Sequence, residues 1–299
     1  MAKKQNEIYK RQNEVEMQQL IVAQHFTYSN AKRWVVALFS VLVILPLGIN
    51  IALFFDLPDI VIGLLAFFSL ILLGIGELIG EHIQNQKKTA AMLQQRFDLY
   101  VFDMNMKSGI DENLIAEKME KYKNKDWDRK QNWYQNYENV NKNKVLFYCQ
   151  KENIDWTGNI GKRYCVFLMT IIGALFISFV VNLIIQNSSI IKMLSILITS
   201  LPLLSYGFSG YKKIKRDNSD LLEMDKIAKE INADIDSFSD VELDNKVNVL
   251  QTMIYKFRQS KYLIPDWFER KFYKHLQAVE SRKAVQRVER NKKIKSKKS

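Results

Sequence analysis

Residues 34–80 form an apolar run that is interrupted once, at residues 56–59, which include two aspartates and a proline. Residues 34–55 are 22 positions without a charged side chain, and a helix of that length rises about 30 Å, the thickness of bilayer hydrocarbon. Residues 60–80 are a second such run, charged only at Glu77. Four intervening residues allow only a tight turn, so the sequence predicts a hairpin of two membrane-spanning helices.

The same arrangement recurs at residues 166–185 and 190–210, which are separated by the polar residues 186–189. The predicted fold class is therefore an all-α membrane protein with four transmembrane helices in two hairpins. The mean hydropathy of -0.18 would suit a soluble protein, but it averages apolar runs with segments rich in lysine and asparagine. These polar segments are an N-terminal helix (1–33), a helical insertion (81–165), C-terminal helices (211–281) and a basic tail (282–299).

Basic residues flank the predicted spans on one side only. Lys32 and Arg33 precede the first span, and similar basic pairs or groups stand after the second, before the third and after the fourth, whereas the two short turns contain no Lys or Arg. By the positive-inside rule, both termini and the central insertion are predicted to be cytoplasmic. The first run begins only after 33 largely polar residues, which is not the pattern of a cleavable signal peptide.

A formal charge of +12 favours anionic partners, which include lipid head groups, phosphate-bearing ligands and nucleic acid. The basic tail is typical of a solvated or head-group-facing end, and a specific nucleic-acid contact is not expected. The sequence contains no Walker A, GxSxG or HExxH motif, and its three histidines and two cysteines are scattered. We therefore expect no catalytic residue, no metal site and no cofactor.

Two kinds of residue stand out inside the predicted spans. Pro46 and Pro202 fall near mid-membrane, where proline bends a helix; each kink is either inert or part of a gate. Gly74, Gly76 and Glu77 lie together in the second span. Small residues permit close helix packing, and the glutamate either lines a pore or extends to the water interface.

An aromatic and basic cluster occupies the middle of the insertion, at Trp127, Arg129, Lys130, Trp133 and Tyr134. Aromatic rings stack on nucleobases, and Arg or Lys neutralises phosphate. The composition fits a nucleotide pocket, but it also fits the core of a small domain or an aromatic belt at the membrane.

Ser239 and Glu242 stand at capping-box spacing before a seam of apolar residues. The seam packs either on the other helices of the chain or on a neighbouring subunit. It consists of Leu243, Val247, Leu250, Ile254 and Phe257.

The order of these segments, together with four local strings, resembles the SMODS-associated four-transmembrane effectors, pore formers of bacterial CBASS anti-phage systems. The resemblance covers roughly residues 15–280, and two departures are Thr157, where an acidic residue is expected, and the tail beyond Glu280. The strings are Gln95-Arg96-Phe97-Asp98 with Val101, Asn132-Trp133-Tyr134, Cys149-Gln150 with Asn153 and Trp156, and Ile264-Pro265-Asp266-Trp267.

The resemblance implies a mechanism. A cGAS-like nucleotidyltransferase makes a cyclic oligonucleotide on infection, and the effector binds it on the cytoplasmic side, opens or assembles as a homo-oligomer, and disrupts the bacterial inner membrane. The expected ligand-binding residues are Arg129, Lys130, Trp133 and Tyr134, with Arg163 and Arg258 as outside candidates. The expected pore or gating residues are Pro46, Gly74, Gly76, Glu77 and Pro202.

Two other functions agree with the same residues. One is a membrane-anchored, non-conducting scaffold that recruits a partner through the helix bearing Leu250. The other is a small ion channel or transporter unrelated to immunity, although polar groups are scarce near the middle of the predicted spans.

Overall fold

A computed structural model describes residues 7–53, 55, 57–106, 109–138, 140–185 and 190–298, with only the backbone described at 158–159, 162, 168, 171–172, 174–176, 178–179, 182–185, 190–192 and 293–298. All regular structure in these ranges is helical. The α-helices are α1 (Glu7–Arg11), α2 (Val15–Phe39), α3 (Leu45–Ala52), α4 (Asp59–Phe102), α5 (Glu112–Tyr122), α6 (Lys142–Ile185), α7 (Ile190–Asp234), α8 (Asp240–Ser260) and α9 (Asp266–Lys298).

Three helical stretches among the described residues are long and apolar enough to cross a membrane: Val15–Ala52, Asp59–Phe102 and Met193–Asp234. The second contains the predicted span 60–80, and the first and third contain most of the predicted spans 34–55 and 190–210. The predicted span 166–185 forms the second half of α6, where many side chains are not described, and the predicted turn 186–189 lies outside the described residues.

The first stretch is continuous from the polar N-terminal segment into the membrane. A single turn of π-helix, Ser40–Ile44, joins α2 to α3, and the Leu45 N–H accordingly bonds to the Ser40 carbonyl. Pro46, which has no N–H to offer to the preceding turn, follows at once. Asn50 Nδ2 donates to the Pro46 carbonyl at 2.9 Å.

The helices α4, α6 and α7 also continue from an apolar segment into the polar half of the molecule. The sequence predicts a separate short helix and turn near residues 145–156, which is wrong, because α6 runs unbroken from Lys142 to Ile185. Gly161 lies within it with open space around its Cα. A glycine there is tolerated in a helix, although it usually weakens one.

The polar half, which we call the head (residues 7–33, 81–165 and 211–292), has one main hydrophobic core. The capping box predicted at Ser239 and Glu242 is present at the start of α8. The seam that follows it is buried in this core, so it packs within the chain. Residues 282–292 continue α9 and pack against the rest of the head, where Ala284 and Asn291 are buried.

Candidate functional site: a cavity in the head

A cavity of about 600 Å³ lies in the head where α2, α6, α7 and α8 meet. The irregular segment between α5 and α6, which contains Trp127 and Trp133, closes one side of it, and the connection from α8 to α9 closes another. Its volume is in the ordinary range for small-molecule sites. Its walls mix aromatic, cationic and acidic side chains, which is the composition that a polar, ring-bearing ligand requires.

Arg258, from α8, is the most deeply buried cation on the cavity wall, with 4% of its surface exposed. Its Nη1 donates to Asp98 Oδ2 at 2.5 Å, and Asp98 is fully buried. Its Nη2 is also buried and has no hydrogen-bond partner among the described residues. A guanidinium can donate five hydrogen bonds, so this cavity-lining arginine has an unused donor.

Asp98 is the centre of a hydrogen-bond network that fixes Arg258. Tyr134 Oη donates to Asp98 Oδ1 at 2.7 Å, and Gln251 Nε2 donates to Asp98 Oδ2 at 3.1 Å. Asn153 Nδ2 in turn donates to Tyr134 Oη at 2.9 Å. Because a buried charge is stable only when it is paired and hydrogen-bonded, these contacts explain how a carboxylate and a guanidinium persist inside the core.

Aromatic rings form a second part of the wall. His25 and Trp127 stack with their ring centroids 4.0 Å apart and their planes 6° apart, and the Trp133 ring lies 6.0 Å from that of Trp127. Burial lowers the pKa of His25, which favours the neutral imidazole. The Arg129 guanidinium lies 3.7 Å from the ring centroid of Tyr273, in a cation–π contact.

Two further cations line the cavity, Lys32 and Lys261. Lys32 Nζ bonds to Asp266 at 2.6 Å and to Glu269 at 3.0 Å. Although burial opposes it, the charge of Lys32 lowers the pKa of Asp266, so that pair is ionised. Lys261 lies 5.2 Å from the ring centroid of Tyr28, and burial, followed by the neighbouring charge of Arg258, lowers its pKa to about 8.

The structure brings together three of the predicted ligand-binding residues. Arg129, Trp133 and Arg258 all line the cavity. Lys130 does not line the cavity; its Nζ pairs with Asp126 Oδ1 at a distance of 2.5 Å. Tyr134 is buried and donates to Asp98, but it does not line the cavity. The Arg163 guanidinium lies over the Phe272 ring, 4.8 Å from its centroid, and does not line the cavity either.

The predicted pore residues do not share one surface. Gly76 packs directly on Leu42, because a Cβ added there would lie 2.7 Å from Leu42 Cδ2, whereas Gly74 has open space around it. Glu77 is exposed on the outer side of α4. Pro46 and Pro202 are both buried between helices.

Sequence reasoning missed Asp98, Lys261 and His25. The signal for Asp98 was present, since the sequence predicts a helix over residues 84–106 with Phe97 and Val101 in its buried stripe, and Asp98 stands next to that stripe. The cavity role of Lys261 and His25 follows only from tertiary packing. The described part of the chain also shows no group of three His, Cys, Asp or Glu side chains that could hold a metal ion.

Comparison with known protein families identifies the family of this chain. The family model described as the SMODS-associating 4TM effector domain matches residues 6–289, which include all the helices that form the cavity. The chain belongs to this family. The 4TM effector domain thus comprises both the apolar helices and the head, and the site described above is part of it.

A protein of Bacillus cereus (strain VD146), described as a probable CBASS effector molecule, is 22% identical to this 4TM effector over 274 residues, which cover 86% of this chain and 90% of that protein. No solved structure matches the chain.

Proposed function

We propose that this 4TM effector is the membrane-disrupting component of a bacterial CBASS anti-phage system. A cyclic oligonucleotide, made by a cGAS-like nucleotidyltransferase, binds in the head cavity, and the protein then opens or assembles as a homo-oligomer that permeabilises the inner membrane. Both termini and the head face the cytoplasm, in accord with the basic residues beside the spans. The infected cell dies or stops growing before phage release.

The observation that carries this proposal is the unpartnered Nη2 of Arg258. Leaving a buried charged donor unsatisfied is costly, so the native fold keeps it there at the expense of stability. A phosphate in the cavity would accept from it in a charge-assisted hydrogen bond. Lys261 adds positive charge from the same wall, and Trp133 provides a ring face for base stacking.

The helix connections provide a route from the cavity to the membrane. The cavity is lined by residues of α2, α4, α6 and α7, and each of these helices continues into an apolar segment. A long helix transmits a small displacement along its axis, so a ligand that draws the cavity walls together would shift the spans relative to each other. Pro202 lies in α7, and Pro46 lies in α3, which continues α2 through the π-helical turn.

The binding experiment uses full-length protein in lipid nanodiscs and calorimetric titration with a panel of cyclic di- and trinucleotides. We expect one class of ligand to bind, and Arg258→Lys to weaken that binding about 10- to 150-fold, the range for a hydrogen bond to a charged group. The lysine keeps a cation for Asp98 but lacks Nη2. Arg96→Lys, a change at a half-buried residue of α4 that does not line the cavity, is the matched control and should bind as the wild type does.

The scaffold alternative is less well supported. It requires the apolar seam of α8 to face a partner, but Leu250 is fully buried in the head core. If the folded protein bound no member of the nucleotide panel, the proposal would fail and a scaffold with a different docking surface would be the better hypothesis.

A further inference from the structure

Two other buried side chains present unpartnered polar atoms at the same cavity. Asp217, from α7, is 7% exposed, and its Oδ1 has no hydrogen-bond partner among the described residues. Gln24, from α2, is 6% exposed, and its Oε1 is likewise unpartnered. Both residues line the cavity. The wall therefore offers one unused donor, on Arg258, and two unused acceptors.

A hydrogen bond from the other polar atom of each side chain fixes the orientation of both acceptors. Asp217 Oδ2 accepts from the backbone N–H of Tyr262, which fixes the carboxylate, and Arg216 approaches Oδ1 only to 3.7 Å. Gln24 Nε2 donates to Gln94 Oε1 at 3.4 Å, which orients the amide. A carboxylate can only accept hydrogen bonds, and beside an anionic ligand it is repulsive unless the ligand supplies a donor to it.

We infer that Asp217 reads the base of the ligand, and that the cavity selects a cyclic oligonucleotide containing guanine. This rests on the proposed function, since it concerns the same cavity. Guanine presents two adjacent donors, N1–H and N2–H₂, on one edge. The amino groups of adenine and cytosine stand beside a ring-nitrogen acceptor that a carboxylate repels, and uracil N3–H stands between two carbonyl oxygens. Gln24 provides a second acceptor for the same class of donor.

The test compares ligands that differ in one base, in the full-length protein in nanodiscs: cyclic di-AMP with cyclic GMP–AMP, and cyclic tri-AMP with cyclic AMP–AMP–GMP. We expect the guanine member of the pair with the correct ring size to bind about 5- to 150-fold more tightly, the range for one base-edge contact. Inosine in place of guanine removes only the N2 amino group, and we expect it to bind more weakly than guanine.

A substitution then assigns the preference to a residue. Asp217→Asn is nearly isosteric but presents an amide, and we expect it to reduce the preference for guanine while the adenine ligand binds as well or better. Asp220→Asn changes a carboxylate one turn away on α7 that does not line the cavity, and the preference should persist. The comparison of guanine with inosine in the wild type requires no variant and stands if Asp217→Asn fails to fold.

The outcomes separate this inference from the proposed function. Binding of cyclic oligonucleotides with equal affinity for guanine, inosine and adenine forms would overturn the base assignment and leave the proposed function intact. A guanine preference that Asp217→Asn does not change would remove Asp217 from the assignment. Absence of binding by every ligand would overturn both.

Discussion

At the scale of single residues, the pair Asp98–Arg258 has the largest consequence for stability. We predict that Asp98→Ala destabilises the protein by about 3–5 kcal/mol, because it leaves the guanidinium buried without its counter-charge. Glu112→Ala removes the partner of Arg96 from a solvent-accessible pair between α5 and α4 and should cost about 1 kcal/mol or less. Unfolding midpoints of the solubilised variants, followed by tryptophan fluorescence, measure both. Equal midpoints would contradict the structural role given to Asp98.

Lys261 gives the site a pH dependence. Burial and the neighbouring charge of Arg258 lower its pKa to about 8, so the cation is expected below that pH and the neutral amine above it. We predict that ligand affinity is highest below pH 8 and declines as the pH rises to 9, by at most about tenfold per unit.

The measurement for this pH dependence is titration of the ligand at several pH values with two variants. Lys261→Arg stays charged throughout, so its affinity should remain flat over the same range. Lys256→Arg, an exposed change on α8, should decline as the wild type does. A decline that Lys261→Arg retains would show that another group titrates.

Residue patterns in the sequence located only part of this site. Arg129 and Trp133 could be proposed because aromatic and basic residues are concentrated in one short segment. Arg258 and Asp98 are 160 positions apart, and nothing local shows that the two side chains meet. Asp217 and Gln24 lie in polar helical segments where an unpartnered buried atom is indistinguishable from a solvated one until the packing is known.

At the scale of helices, the hydropathy pattern predicted the three apolar stretches that the described residues show as long enough to cross a membrane, because bilayer thickness imposes a length that a sequence records directly. It did not predict that α6 and α7 would pass from the head into these segments without a break. Polar and apolar halves of one continuous helix differ in composition, and a change in composition looks like an element boundary. The seam of α8 was predicted, but its partner depended on tertiary packing.

Helix packing within the membrane gives a prediction at this scale. Gly76→Ala introduces a methyl group against Leu42, where Leu42 packs with Leu203 and Tyr206, and overpacking of this kind costs about 1–3 kcal/mol. Gly74→Ala, half a turn away, meets nothing within 4 Å and should be neutral or slightly stabilising, because alanine favours a helix more than glycine does.

Thermal midpoints of the two glycine variants in the same lipid measure this difference. If Gly76→Ala were as stable as Gly74→Ala, the close approach of α4 to the π-helical turn would not contribute to the packing.

At the scale of the whole molecule, the head and the apolar segments are joined by continuous helices. Residues of α2, α4, α6 and α7 line the cavity, and the buried hydrogen bonds of Asp98 fix Arg258 on its wall. Under the proposed function, a ligand bound by Arg258 would act on walls that belong to helices continuing towards Pro46 and Pro202. We propose that this is how a small signal controls the membrane segments.

Leakage of dye and ions from liposomes containing the purified protein tests that account most directly. We predict leakage when the cognate cyclic oligonucleotide is added to the face bearing the head, and no leakage with other cyclic oligonucleotides. Arg258→Lys should lose the response to the cognate ligand. Inserted, folded protein that binds the ligand yet leaves the liposomes sealed at every concentration would contradict it.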